Sequence, residues 1–236
     1  MSSYLSHRRK AFSGAGVQWD GFGNASRDFN GTDQYITIPD SASFPTGAQT
    51  LACWVYVDTL TNAAVFNHNV GTGDQRSIAL TIFSDGKLLG SISSSGTAIP
   101  QKSAESAAST IGTAEWIHIA MTFEPSTHVK CYKNGTEVGS NTDTIFGSIH
   151  NSTAAAGIGA NGEGAAPFNG KICDCRWYDA DIGQSNIADL ANGVDYQTNL
   201  IGWWLDDTDD ATTDHAGTFA TATNNGSTYS TDGPAD

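Results

Sequence analysis

Carboxylates, histidines and aromatic rings are the side chains here that could do chemistry, and their spacing tells the possible chemistries apart. The 236 residues hold five glutamates, Glu105, Glu115, Glu124, Glu137 and Glu163, none within two residues of another acid. A glycoside-cleaving strand places its acid and nucleophile at alternate positions so that both face one cleft. Asp179 and Asp181 have that spacing, but the turn before a short helix is the wrong setting for it. A pair assembled from distant strands stays open. His118, two residues after Trp116, is a candidate general base. Serine elbows, phosphate loops and His-Glu-x-x-His are absent from the sequence.

Binding chemistry has more material. Sugar recognition needs aromatic faces beside amide and carboxylate groups. Trp19, Phe22, Tyr35, Tyr56, Trp177, Trp203 and Trp204 are the stock, with Trp203, Trp204, Trp177 and Tyr35 as the lead candidates. In an extended strand the adjacent pair Trp203-Trp204 sends one ring inward and one outward. The outward ring is either a platform or packing for another segment. The run Asp206-Asp207-Thr208-Asp209-Asp210 with Asp214 invites a calcium reading, since hard cations want several oxygen ligands. It fails the EF-hand template, because Gly217 stands at the twelfth position from Asp206. A plain acidic loop is the alternative.

The elements that must position these groups are strands. Twenty-six glycines, abundant Ser, Thr and Asn, and two methionines fit a turn-rich β-protein. Leu51 to Val57 is near-continuously apolar, as in a strand covered on both faces. In 35–38 the residues alternate, Tyr35 and Thr37 on one face and Ile36 and Ile38 on the other. Strands are also expected at 63–67, 78–83, 88–92, 155–160, 168–178 and 200–205. Residues 116–139 read as strand, break, strand and hairpin, with Asn134-Gly135 as a two-residue type I′ turn and Trp116 in the core. Residues 93–114 read as a long loop, and Ile182 to Leu190 as the single helix, capped by Asp181 or Ser185 and stopped at Asn192-Gly193.

Charge and cysteine usage bound the partners. A net charge of −14, with eleven Asp and no Lys or Arg in residues 177–236, argues against nucleic acid. It suits uncharged glycans, divalent cations or solubility alone. Cys53 and Cys131 read as buried strand thiols, and Cys173 and Cys175 as sharing one strand face. Reduced structural thiols are therefore expected. No segment approaches the roughly 18 to 20 apolar residues of a membrane helix. The basic start, with Arg8, Arg9 and Lys10, has no apolar run behind it and does not read as a signal peptide.

Several segments in order resemble laminin-G-like domains of the concanavalin-A-like lectin/glucanase superfamily. They are Asp28 to Pro39, Thr50 to Val57, Glu115 to Ala120 with Tyr132-Lys133-Asn134-Gly135, and Phe168 to Tyr178 followed by the helix, covering about residues 27–193. The resemblance implies an all-β fold, an antiparallel two-sheet jelly-roll sandwich with one short helix. It makes His118 a structural residue of the core hairpin, and points to Asp33 and Asp174 as calcium ligands. Residues 199–206 resemble a strand that such domains carry at their start, here placed after the helix. The expected organisation is an arm at 1–26 and one sandwich at 27–236.

The expected function is a non-catalytic module binding a glycan or cell-surface ligand. The absence of a leader and the basic arm suggest a component displayed on a virus or phage particle, with the arm (Arg8, Arg9, Lys10) docked on other particle proteins. A homo-oligomer is a further option. A polysaccharide lyase or glycoside hydrolase, and a purely structural particle protein, are the alternatives.

Overall fold

The computed structural model describes residues 25–205 and 209–234. Residues 1–24 of the expected arm, with Arg8, Arg9, Lys10 and the candidate rings Trp19 and Phe22, and the acidic residues 206–208 lie outside the described residues, whereas Ser26, expected in the arm, opens the first strand. Among those described there are fifteen strands and one helix. The strands are β1 (Ser26–Asn30), β2 (Tyr35–Ile38), β3 (Gln49–Val57), β4 (Ala63–Val70), β5 (Gln75–Ile82), β6 (Leu88–Ser93), β7 (Gln101–Glu105) and β8 (Trp116–Glu124). They continue as β9 (His128–Lys133), β10 (Thr136–Asn141), β11 (Ala156–Ile158), β12 (Asn169–Tyr178), then helix α1 (Gly183–Ala191), β13 (Leu200–Trp204), β14 (Thr223–Asn225) and β15 (Thr228–Ser230).

These strands make two antiparallel sheets, a jelly-roll sandwich. One runs β10-β9-β8-β3-β12-β1-β15, with β13 paired to β12 beyond the end of β1; the other runs β14-β2-β11-β4-β5-β6-β7. The short β14–β15 hairpin gives one strand to each sheet, pairing with β2 and with β1. At the opposite edge β7 lies against β10, where the Asn141 amide donates to the Ser103 carbonyl at 2.8 Å. The region 93–114, expected as a loop, contains β7. Gln101 to Glu105 has only Ala104 as an apolar residue, so as an edge strand it carries too little hydrophobic signal to be recognised.

Alternation builds the core. Leu51, Cys53, Val55 and Val57 of β3 face Ile117, Ile119, Met121 and Phe123 of β8 inside the sandwich, all buried. Phe44 stacks on Trp177 (ring centroids 4.8 Å apart) and on Phe219 (4.9 Å), and Phe219 stacks on Trp204 (5.5 Å). Each such pair is worth roughly 0.5–1.5 kcal/mol beyond its buried area. Asn134 and Gly135 both have positive φ, 47° and 76°, as the type I′ turn requires. A Cβ at Gly135 would lie 2.6 Å from the Ala188 Cα, so the hairpin tip and α1 pack only because Gly stands there. Asp181 Oδ1 accepts the Gly183 N–H at 2.8 Å, and Gly193 takes positive φ after the C-terminal turn.

One kink in β12 changes which residues share a face. The register slips between Cys173 and Arg176, and Asp174 sits at φ 50° with its N–H on the Leu205 carbonyl. Cys175 therefore points into the core, whereas Cys173 faces outward opposite Trp54. The two do not share a face as an unbroken strand would require. All four cysteines are buried free thiols, and burial pushes Cys131 up to about 12.

Candidate functional site

The outer face of the larger sheet carries the candidate site. Helix α1 covers one half of it: Ala52, Ala120, Tyr132 and Tyr178 pack under Ile182, Ile187 and Leu190. Beyond the helix, four directly facing residues form a row across four strands. Asp28 of β1 faces Lys171 of β12, Lys171 faces Tyr56 of β3, and Tyr56 faces Trp116 of β8. At the spacing of neighbouring strands the row is about 14 Å long.

Each member follows from local pattern. Inward positions of β3 and β8 are aliphatic, so Tyr56 and Trp116 must point outward, and both are half-buried. Their ring centroids lie 5.7 Å apart, and the Lys171 ammonium sits 4.6 Å from the Tyr56 centroid on the other flank. Asp232, past β15, reaches over the row. Its Oδ2 is 3.2 Å from Lys171 Nζ, its Oδ1 accepts the Trp116 indole N–H at 3.4 Å, and its carbonyl accepts Ser26 Oγ at 2.7 Å. Burial raises the Asp28 pKa, Lys171 opposes that, and Asp58 and Asp232 add to it. The Lys171 pKa stands above its ordinary value: burial works against the ammonium, but Asp232, Asp58 and Asp28 outweigh it.

Behind this row Cys173, Trp54 and His118 face one another across β12, β3 and β8. His118 is 1% exposed, its ring edge-on to Trp54, and burial lowers its pKa to about 4. An imidazole so enclosed and so weakly basic reads as a structural group, since no substrate proton can reach it.

The four predicted ligand residues fall in three places. Trp177 and Trp204 are 0% exposed in the sandwich core, where they offer no face to a ligand. Trp203 faces outward and is half-buried: the Arg176 guanidinium lies 4.7 Å over its ring, and its indole N–H donates to Asp174 Oδ1 at 2.8 Å. Tyr35 is on the other sheet, beside Asn225 of β14. Trp116, read as core, is instead the outer-face platform.

The metal candidates are not brought together. Asp33 lies in the exposed β1–β2 turn and accepts the Asn30 amide at 2.9 Å. Asn30 pairs with Asn169, five residues along β12 from Asp174, or roughly 16 Å. Asp174 is held between Arg176 Nε and the Trp203 indole. Among the described residues no group of three or more His, Cys, Asp or Glu could hold a metal ion. The described carboxylates of the acidic loop, Asp209, Asp210 and Asp214, use oxygens internally. Asp209 pairs with Arg27, and Asp210 accepts the Thr212 and Thr213 N–H groups. Asp214 accepts four backbone N–H groups, from Trp203, Ala216, Thr218 and Phe219, at 2.8 to 3.0 Å.

Asp214 is thus the knot that fixes β13 to the loop carrying Phe219. Asp214→Ala leaves four N–H groups without their acceptor and is expected to cost about 3 kcal/mol, read from the urea midpoint. A loss below 0.5 kcal/mol would show that water replaces the carboxylate.

The fold and the aromatic row define a β-sandwich of the lectin type. The chain belongs to the concanavalin A-like lectin/glucanases superfamily, through the Laminin_G_3 family model, which matches residues 30–188. Among solved structures, it is similar to a "putative carbohydrate binding protein" from Bacteroides ovatus (19% identity, TM-score 0.67), covering 90% of this chain and 60% of that one. It is also similar to an SAP-like pentraxin from Limulus polyphemus (15%, TM-score 0.54), covering 78% of this chain and 92% of that one. A third is domain 4 of AbnA, a GH43 extracellular arabinanase from Geobacillus stearothermophilus, in complex with arabinotriose (22%, TM-score 0.53; 78% and 85%). At these identities the likeness is one of fold. No curated protein sequence matches the chain. Among the described residues no helix is long and apolar enough to cross a membrane.

Proposed function

We propose that this chain is a non-catalytic glycan-binding module whose site is the row Asp28–Lys171–Tyr56–Trp116. The observation that carries the reading is the half-buried Trp116–Tyr56 pair, flanked in register by the Lys171 ammonium and bridged by the Asp232 carboxylate. A sugar ring presents C–H groups to an indole face and hydroxyls to the oxygens and N–H groups around it. The Bacteroides ovatus and AbnA structures, named for carbohydrate binding and for bound arabinotriose, support a glycan as the ligand.

Four of the five glutamates support the non-catalytic half. Glu105, Glu115 and Glu137 are paired with Lys87, Lys133 and Lys130, and Glu163 accepts the Thr72 hydroxyl. Asp174 is locked to Arg176, so none of these stands as a free acid facing a free base. Display on a particle, expected from the basic arm, is a separate proposal: co-purification of the native chain with its partners is its test.

Glycan-array binding followed by calorimetry tests the module. Trp116→Ala is expected to weaken binding at least tenfold, about 1.4 kcal/mol, with little change in melting temperature. Retained affinity in that variant would move the site elsewhere, and release of new reducing ends would overturn the non-catalytic reading.

A further inference from the structure

Resting on the glycan reading, we infer that the row selects uncharged glycans and rejects anionic ones, because its single cation is already paired with one carboxylate and outnumbered by its neighbours. An anion-binding site needs a cation with coordination to spare. The charge of Lys171 is already committed: Asp232 pairs with it at 3.2 Å, Asp28 stands opposite it across the β1–β12 ladder, and the Tyr56 ring centroid lies 4.6 Å away. Its charge field is shared with Asp58 as well. Three carboxylates around one ammonium leave the patch with a net charge of −2 when all are ionised.

The Trp116 indole N–H, a second donor in the row, points to the same Asp232 carboxylate. A uronate or sulfate arriving here would have to displace Asp232 from both donors while facing Asp28 and Asp58. A hydroxyl meets no such conflict, since it can donate to a carboxylate oxygen that keeps its place on Lys171. The rest of the chain reinforces the preference, with a net charge of −14 slowing the approach of any polyanion. Like charges placed against a ligand class are an effective way to discriminate.

The experiment uses the full chain and two sets of polysaccharides, at 50 mM and 500 mM salt. Linear arabinan, galactan and dextran are the neutral probes; polygalacturonate and dextran sulfate are the anionic ones. At low salt a neutral probe is expected to bind at least tenfold more tightly than either anionic probe, with the gap narrowing at high salt as screening takes over. Asp232→Asn frees Lys171 and is expected to narrow the gap at low salt. Anionic probes binding as well as or better than the neutral ones would overturn the selectivity while leaving a glycan module. No binding in either set would overturn the glycan reading, and the selectivity with it. A tenfold gap unchanged in Asp232→Asn would also count against the mechanism, because the discrimination would then not come from the pairing of Lys171 with Asp232.

Discussion

Lowering the pH from 7 to 4.5 is expected to cost the folded protein about 2–3 kcal/mol for each of two histidines. His68 and His118 are 2% and 1% exposed, and burial lowers each pKa to about 4. In the unfolded chain a histidine titrates near 6.5. Between about 6.5 and 4 the unfolded state therefore binds protons that the folded state refuses, and stability falls with pH across that window. His68 lies among Phe44 and Trp177 in the core, its Nε2–H donating to the Ala154 carbonyl at 2.9 Å, and it must stay neutral there. His118 has its Nδ1 buried with no hydrogen-bond partner among the described residues. Asp40 partly offsets burial for His68, and Asp174 does so for His118 against Arg176. Urea unfolding at pH 7.0 and 4.5, for the wild type and for His68→Gln/His118→Gln, measures the term. A pH slope that persists undiminished in the double variant would assign the acid sensitivity to other groups.

Removing the charge of Arg176 is the second large effect. Its guanidinium, 7% exposed, is paired with Asp174 at 2.8 Å and with Asp195, and lies over Trp203. Burial disfavours the cation, but Asp174, Tyr178 and Asp195 hold its pKa above its ordinary value. Asp174 and Asp195 are themselves nearly buried, so Arg176→Met strands two carboxylates and is expected to destabilise by about 3–5 kcal/mol. The triple variant Arg176→Met/Asp174→Asn/Asp195→Asn removes the stranded charges and should recover much of that loss. Equal stability of the single variant and wild type would show that the triad contributes nothing net. The same network orients Trp203 and the 195–200 segment, because Tyr178 Oη donates to the Tyr196 carbonyl at 2.9 Å.

The architecture was legible because its signals are local. Alternation in 35–38 gives buried Ile36 and Ile38 with half-buried Tyr35 and Thr37, and the apolar run in β3 is buried on both faces but for Tyr56. Asn134-Gly135 set a hairpin through its own backbone preferences, and Asn192-Gly193 stopped α1 in the same way. The superfamily resemblance, placed at 27–193, coincides with the matched residues 30–188.

The site was less legible, and the reason is geometric. Alternation in β8 puts Trp116 on the face opposite Ile117, Ile119, Met121 and Phe123, a signal present in the sequence but outweighed by the expectation that a hairpin Trp is core. What no local pattern contains is the register. Asp28, Tyr56, Trp116 and Lys171 are spread over 143 positions, from 28 to 171, and meet only because four strands align in one order. Asp232 joins them from the far end of the chain through a three-residue strand, too short to announce itself. The bulge at Asp174 decides which of Cys173 and Cys175 faces the core, and Asp174 itself pairs with Arg176. Trp203 and Trp204 show the division most simply. Their adjacency dictated that one ring face in and one out, but which ring did so, and that Arg176 rather than solvent met the outward one, was settled by the pairing of β13 with β12. Sequence determined the strands, turns and buried faces, since these follow from residues a few positions apart. Tertiary structure decided the site, since long-range register and the placement of charged partners are properties of the assembled sheet.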